Sequence, residues 1–144
     1  AEAAVLLLCC FAKCTVVPLN PTSTQQELIT DAGRIRAKVL VAHCDYLENA
    51  KQQGELMAVA SELNIGIFSL TPMEKACGRF SWKHVPGTAP PGRTKSRRLL
   101  SVPDDTSLLL FTSGTSGSKK CVPYTLNTLV IGSANIIASW ELRP

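Results

Sequence analysis

Along residues 1–70, apolar runs of strand length alternate with segments of helical period, and this alternation constrains the fold more than any other feature of the sequence. Residues 1–13 read as a helix, Thr15–Leu19 as a strand, Thr24–Arg36 as a helix, Lys38–Ala42 as a strand, Leu47–Leu63 as a helix and Gly66–Leu70 as a strand. Parallel neighbours need crossover connections, so this order predicts an α/β fold with a mostly parallel sheet flanked by helices. Thr24 with Glu27 three residues on is a capping box in sequence. Leu56, Val59, Ala60 and Leu63 recur at helical spacing, and Asn64 or Gly66 supplies the stop.

A second leucine-rich strand, Ser107–Phe111, opens at its C-terminal end into T-S-G-T-S-G-S-K-K, where open α/β sheets bind ligands. Gly114 and Gly117 let the backbone approach a ligand closely, so that successive N–H groups converge on an anion. Thr112, Ser113, Thr115, Ser116 and Ser118 add hydroxyl donors, and Lys119 and Lys120 add charge. Hydrogen bonds to a charged phosphate contribute about 1.5–3 kcal/mol each, enough for a handful to hold a triphosphate. Composition alone leaves a solvated turn open as the alternative. The Walker pattern is excluded, because Gly114 and Gly117 are three apart and no Ser or Thr follows either lysine. Beyond the loop, Cys121–Tyr124 contains Pro123 and suits only an edge strand or extended link. Thr125 then caps a helix to about Leu142, with Leu129, Ile136, Ile137 and Trp140 available for a buried face.

Residues 112–120 resemble the T-S-G-T-T-G-x-P-K signature of the AMP-forming adenylate-forming enzymes: acyl-CoA synthetases, luciferases and peptide-synthetase adenylation domains. Lys119 stands where that family usually has proline, Cys121 where it has glycine, and Leu126 where a histidine often follows the threonine. Upstream, Val16-Val17-Pro18-Leu19-Asn20-Pro21, then Glu27-Leu28 and Ala37–Val41, is similar to the family's V-V-P-L-N-P segment with its following helix and strand. The resemblance covers most of the chain and is weak between about residues 71 and 103.

The resemblance implies part of the family's large N-terminal domain, residues 1–144 being a partial AMP-binding domain with a mobile basic loop at 71–103. It implies a two-step reaction in which a carboxylic acid attacks the α-phosphate of ATP and a thiol, coenzyme A or a carrier protein's pantetheine, then displaces AMP. Thr112, Ser113, Gly114, Thr115, Ser116, Gly117 and Lys120 would bind the ATP phosphates, with Mg²⁺ sharing them. No catalytic residue and no protein metal ligand is assigned. The family's Y-G-x-T-E segment, ribose-binding Asp, hinge and late catalytic Lys do not occur before Pro144, and the chain opens at Ala1 without methionine. It therefore reads as an excerpt whose partners include the remainder of the adenylation domain and its C-terminal domain. A non-catalytic paralogue that keeps the fold is the first alternative.

At 144 residues and 45% hydrophobic content, the chain has material for one domain, which would bury about 68–70% of its unfolded surface. The apolar stretch 3–12 is shorter than the ~20 residues of a membrane span and is preceded by the acidic Glu2 rather than a basic n-region, so it reads as a buried helix. The six cysteines form no C-x-x-C pair, and His43 and His84 lack zinc-finger spacing from them. Free buried thiols then point to a reducing, intracellular and cytoplasmic setting. Seven of the fifteen basic residues fall within 75–103, which holds no Asp or Glu. With Phe80 and Trp82 they suggest an RNA-interacting module as the second alternative, but the prolines and glycines of 86–92 favour a solvated loop.

Overall fold

The computed structural model describes residues 13–73, 79–90, 101–112 and 119–142. The helix expected at 1–13 lies almost wholly outside the described residues. The described residues of 20–95 form one compact unit, and those of 3–19 and 96–144 form another.

The first unit begins with a turn in which Asn20 Oδ1 accepts from the backbone N and Oγ1 of Thr22, at 3.0 and 2.9 Å. Helix α1, Gln25–Arg34, starts from the expected capping box: Thr24 Oγ1 accepts from Glu27 N, and Glu27 Oε2 accepts from Thr24 N. Strand β1, Val39–His43, leads into the short helix α2, Cys44–Glu48, and then into helix α3, Ala50–Leu63. The single helix expected over Leu47–Leu63 is broken at Asn49. Its backbone is extended there (φ −77°, ψ 111°), and its side chain accepts from Lys51 N and Gln52 N to restart the helix.

Both long helices turn into their strands by the same device. At the end of α1, Ala37 N donates to Ala32 O and Arg36 N to Gly33 O, with Arg36 at φ +52°. At the end of α3, Ile65 N donates to Ala60 O and Asn64 N to Ser61 O, with Asn64 at φ +51°. These are Schellman exits, each satisfying two orphan carbonyls. Asn64 is therefore the stop. Gly66 serves another purpose, because a Cβ there would lie 2.5 Å from the carbonyl oxygen of Ala89.

Strand β2, Gly66–Pro72, pairs in parallel with β1 from Val39↔Gly66 to His43↔Leu70. Strand β3, Phe80–His84, pairs antiparallel with β2 from Phe68↔His84 to Pro72↔Phe80. The window 71–103 is thus not a loop throughout. Proline and glycine on either side hid a strand whose pairing also carries β2 two residues beyond Leu70. The core of this unit joins Leu28, Ile29 and Ala32 of α1 to Leu56, Val59 and Ala60 of α3 and to Leu40, Ile65, Ile67 and Leu70. Burial of each large apolar side chain contributes about 1.5–3 kcal/mol.

The second unit is built on strands β4, Thr106–Thr112, and β5, Lys120–Thr125, which pair antiparallel. Ser107 is an extra residue between the pairs Thr106↔Thr125 and Leu108↔Tyr124, a bulge, and its carbonyl accepts from Val16 N. The strand expected at Thr15–Leu19 is reduced to one parallel bridge, Val16↔Leu108, because Pro18 has no N–H to continue the ladder. Pro123 sits on β5 at the edge of the two-stranded sheet, as its chemistry requires.

Helix α4, Leu126–Ser139, is capped by Thr125, whose Oγ1 accepts from Thr128 N at 3.1 Å. Leu126 N and Asn127 N donate to Asp105 O and Pro103 O, so a preceding turn satisfies its first donors. Its expected buried face is not buried: Ile136, Ile137 and Trp140 are exposed, as are Val130 and Ile131. The α/β class and flanking helices are as expected. Among the described residues the strand pairing is mixed rather than mostly parallel, with β1–β2 and the Val16 bridge parallel and β2–β3 and β4–β5 antiparallel.

Candidate functional site

Two of the seven residues expected to bind phosphate are brought together by the β4–β5 ladder. Thr112 and Lys120 are Cα partners and form its last pair, and both are exposed. Directly opposed residues of an antiparallel pair share a face, with Cβ atoms about 4.5–5.5 Å apart. Phe111 and Cys121, one step inward, share the opposite face. Ser113, Gly114, Thr115, Ser116 and Gly117 lie outside the described residues, as does Ser118. Lys119 is half-buried and precedes β5.

The ladder distinguishes this segment from a Walker loop. A Walker loop runs from a strand into a helix, whose N-terminus supplies oriented N–H groups and a partial positive charge. Here the next described element after β4 is its antiparallel partner β5, and helix α4 begins at Leu126. Lys120 carries its charge on the face that it shares with Thr112 at the end of the ladder.

Within the basic window, strand β3 is the outer strand of the described three-stranded sheet. Trp82 lies opposite Leu70, with its ring edge-on to Phe68 at 6.3 Å, and Phe68 also meets the His84 ring at 5.4 Å. Lys83, between Trp82 and His84, projects from the other face. A stacking platform for bases needs aromatics and cations together, which this strand separates. His84 Nε2 lies 3.1 Å from both Ala89 O and Thr88 Oγ1. Since Ala89 O only accepts and Thr88 Oγ1 already donates to Val85 O, Nε2 carries the proton and donates to both.

One cluster has no sign in C-x-x-C pairs or zinc-finger spacing. His43, Cys44 and Asp45 place a nitrogen, a sulfur and a carboxylate oxygen within 4.8 Å of one another. The only signal in the sequence is the contiguous H-C-D at a strand-to-helix junction. Elsewhere in α2, burial and then the Glu55 carboxylate push the Tyr46 phenol above its ordinary range, so it stays neutral. Cys14, Cys44 and Cys121 are in no disulfide, and they are not the buried thiols expected: Cys14 is exposed and the other two are half-buried. No helix of the described residues is long and apolar enough to cross a membrane.

With the hairpin and its flanking residues in place, comparison with known proteins identifies the class. The family model of the AMP-binding enzymes matches residues 2–143, and the chain belongs to that family. Among solved structures it is similar to ATP-bound RpMatB-BxBclM chimera B3, with a TM-score of 0.64 and 25% identity over 97% of this chain and 25% of that one. Apo MatB from Rhodopseudomonas palustris aligns with a TM-score of 0.65 and 23% identity over 99% of this chain and 26% of that one. ATP-bound MatB from the same organism gives 0.64 and 24% over 97% and 25%. The fold is that of part of the N-terminal domain of the adenylate-forming enzymes, and the chain spans about a quarter of the length of these structures. Among curated proteins no relative matches the chain.

Proposed function

We propose that this chain supplies the triphosphate grip of an ATP-dependent acid–thiol ligase. The observation that carries the reading is the Thr112↔Lys120 pair, which puts the signature's first hydroxyl and its lysine at one mouth. Thr112, Ser113, Gly114, Thr115, Ser116, Gly117 and Lys120 hold the β- and γ-phosphates. A carboxylate oxygen bonds to the α-phosphorus while the bond to the β-phosphate oxygen breaks, and the electron pair leaves with pyrophosphate. A thiol of coenzyme A or of a carrier protein's pantetheine then attacks the acyl carbon, AMP departs, and the thiol proton passes to solvent.

Residues of the loop work by position and charge, since donors placed where phosphate charge develops lower the barrier without covalent participation. Mg²⁺, when bound, neutralises phosphate charge. The ion would share the phosphates, as the family resemblance implies, and no residue of this chain is assigned as its ligand. Cys44 and Cys121, outside any disulfide, suit a reducing intracellular compartment.

ATP–pyrophosphate exchange in the full-length protein, across a panel of carboxylic acids, tests the proposal. Acid-dependent exchange that falls when Lys120 is replaced supports it. Absence of exchange with every acid favours a non-catalytic relative.

A further inference from the structure

We propose that His43, Cys44 and Asp45 form a three-ligand site for a zinc-class divalent cation, binding through one nitrogen, one thiolate and one carboxylate oxygen. The donors already stand as one face of a tetrahedron. Cys44 Sγ lies 3.7 Å from His43 Nδ1 and 3.4 Å from Asp45 Oδ1, and Nδ1 lies 3.4 Å from Oδ1. Zinc bonds of about 2.0–2.3 Å at tetrahedral angles set ligand atoms roughly 3.3–3.6 Å apart, close to these three separations.

The convergence has a local cause. Along a strand His43, Cys44 and Asp45 would alternate sides, but β1 ends at His43 (φ −63°, ψ 148°) and α2 begins at Cys44, and the bend gathers their tips. The cluster sits at the carboxyl end of β1, which pairs in parallel with β2, the end of a parallel sheet at which ligands bind. The His43 and Asp45 side chains are 44% and 80% exposed, which leaves the fourth position open to water or a ligand.

In the metal-free cluster the Cys44 thiol donates to Asp45 Oδ1, and Asp45 N donates to Nδ1 at 3.3 Å. On binding, the thiol proton leaves to solvent and the cation takes its place between sulfur and oxygen. Nδ1 exchanges a long hydrogen bond for a coordinate bond. A thiolate in the set selects zinc-class ions over magnesium or calcium. The inference stands apart from the nucleotide reading, since these residues belong to the other unit.

Cobalt(II), a spectroscopic stand-in for zinc, tests it by titration of the reduced 144-residue chain. The expected result is a thiolate-to-cobalt absorption band that saturates at one equivalent and is displaced by zinc. Cys44→Ser abolishes the band, and Asp45→Asn, with unchanged circular dichroism, weakens binding roughly tenfold or more. No band in the parent chain overturns the site. So does a full band in Cys44→Ser, which assigns the metal to the other five cysteines, or unchanged affinity in Asp45→Asn.

Discussion

Thr112 and Lys120 face each other across the last rung of the β4–β5 ladder, while Lys119 falls outside it. In the full-length protein, Lys120→Ala should lower the rate of acid-dependent pyrophosphate release by about 10²-fold, the scale of losing one charge-stabilising donor. Lys119→Ala should cost about tenfold or less on the same scale. If Lys119→Ala proves the more damaging, the register assigned to the loop is wrong.

Two glycines should respond to alanine with opposite signs. At Gly66 the added methyl meets the backbone oxygen of Ala89, so Gly66→Ala should destabilise by about 1–3 kcal/mol, the range for overpacking. Gly54 lies inside α3 with nothing within 4 Å of the same position. Gly54→Ala should therefore stabilise by about 0.5–1 kcal/mol through helix propensity. Urea unfolding of both variants checks the pair.

Asn64 ends α3 in the left-handed region, which a β-carbon without a polar partner tolerates poorly. Asn64→Ala should cost about 1 kcal/mol in chemical denaturation, and Asn64→Gly should cost little or nothing. Equal losses would mean that the Asn64 side chain, not its backbone conformation, matters at this exit.

Much of the local architecture was legible because its causes are local. Thr24 with Glu27 and Thr125 with Thr128 satisfy helix donors within one turn of chain, so the sequence alone located both helix starts. The break at Asn49 was hidden by continuous apolar periodicity, although an asparagine able to cap was its only local sign. Strand β3 was hidden because five residues between proline- and glycine-containing stretches acquire strand character only by pairing with β2. Exposure of Ile136, Ile137 and Trp140 depends on what packs against α4, which its own period cannot report. At the candidate site the sequence supplied the donors, while the pairing of Thr112 with Lys120 and the gathering of His43, Cys44 and Asp45 belong to register and to a bend.

The exposed side of α4 should make the isolated 144-residue chain self-associate, since Val130, Ile131, Ile137 and Trp140 leave an apolar surface in water. Ile137→Lys should shift it toward monomer in size-exclusion chromatography with light scattering. The chain by itself should show no acid-dependent pyrophosphate exchange, because a phosphate grip alone does not align a carboxylate with the α-phosphorus.

Tyr46 should make stability fall at alkaline pH. Its phenol is raised in the folded chain, so the folded state holds the proton more tightly than the unfolded state. The resulting stabilisation is complete below the unfolded value of about 10 and is lost as pH rises through the folded value. Tyr46→Phe should flatten the denaturation midpoint above pH ~10, once the other tyrosine and the lysines are accounted for in the parent curve.

Amide hydrogen exchange in the full-length protein, with and without Mg-ATP, tests the phosphate grip most directly. Protection should rise at residues 112–120 on nucleotide addition, while Leu108–Leu110 in the body of β4 stays unchanged, and Lys120→Ala should diminish the gain. Nucleotide-induced protection that appears elsewhere and leaves 112–120 untouched would contradict the account.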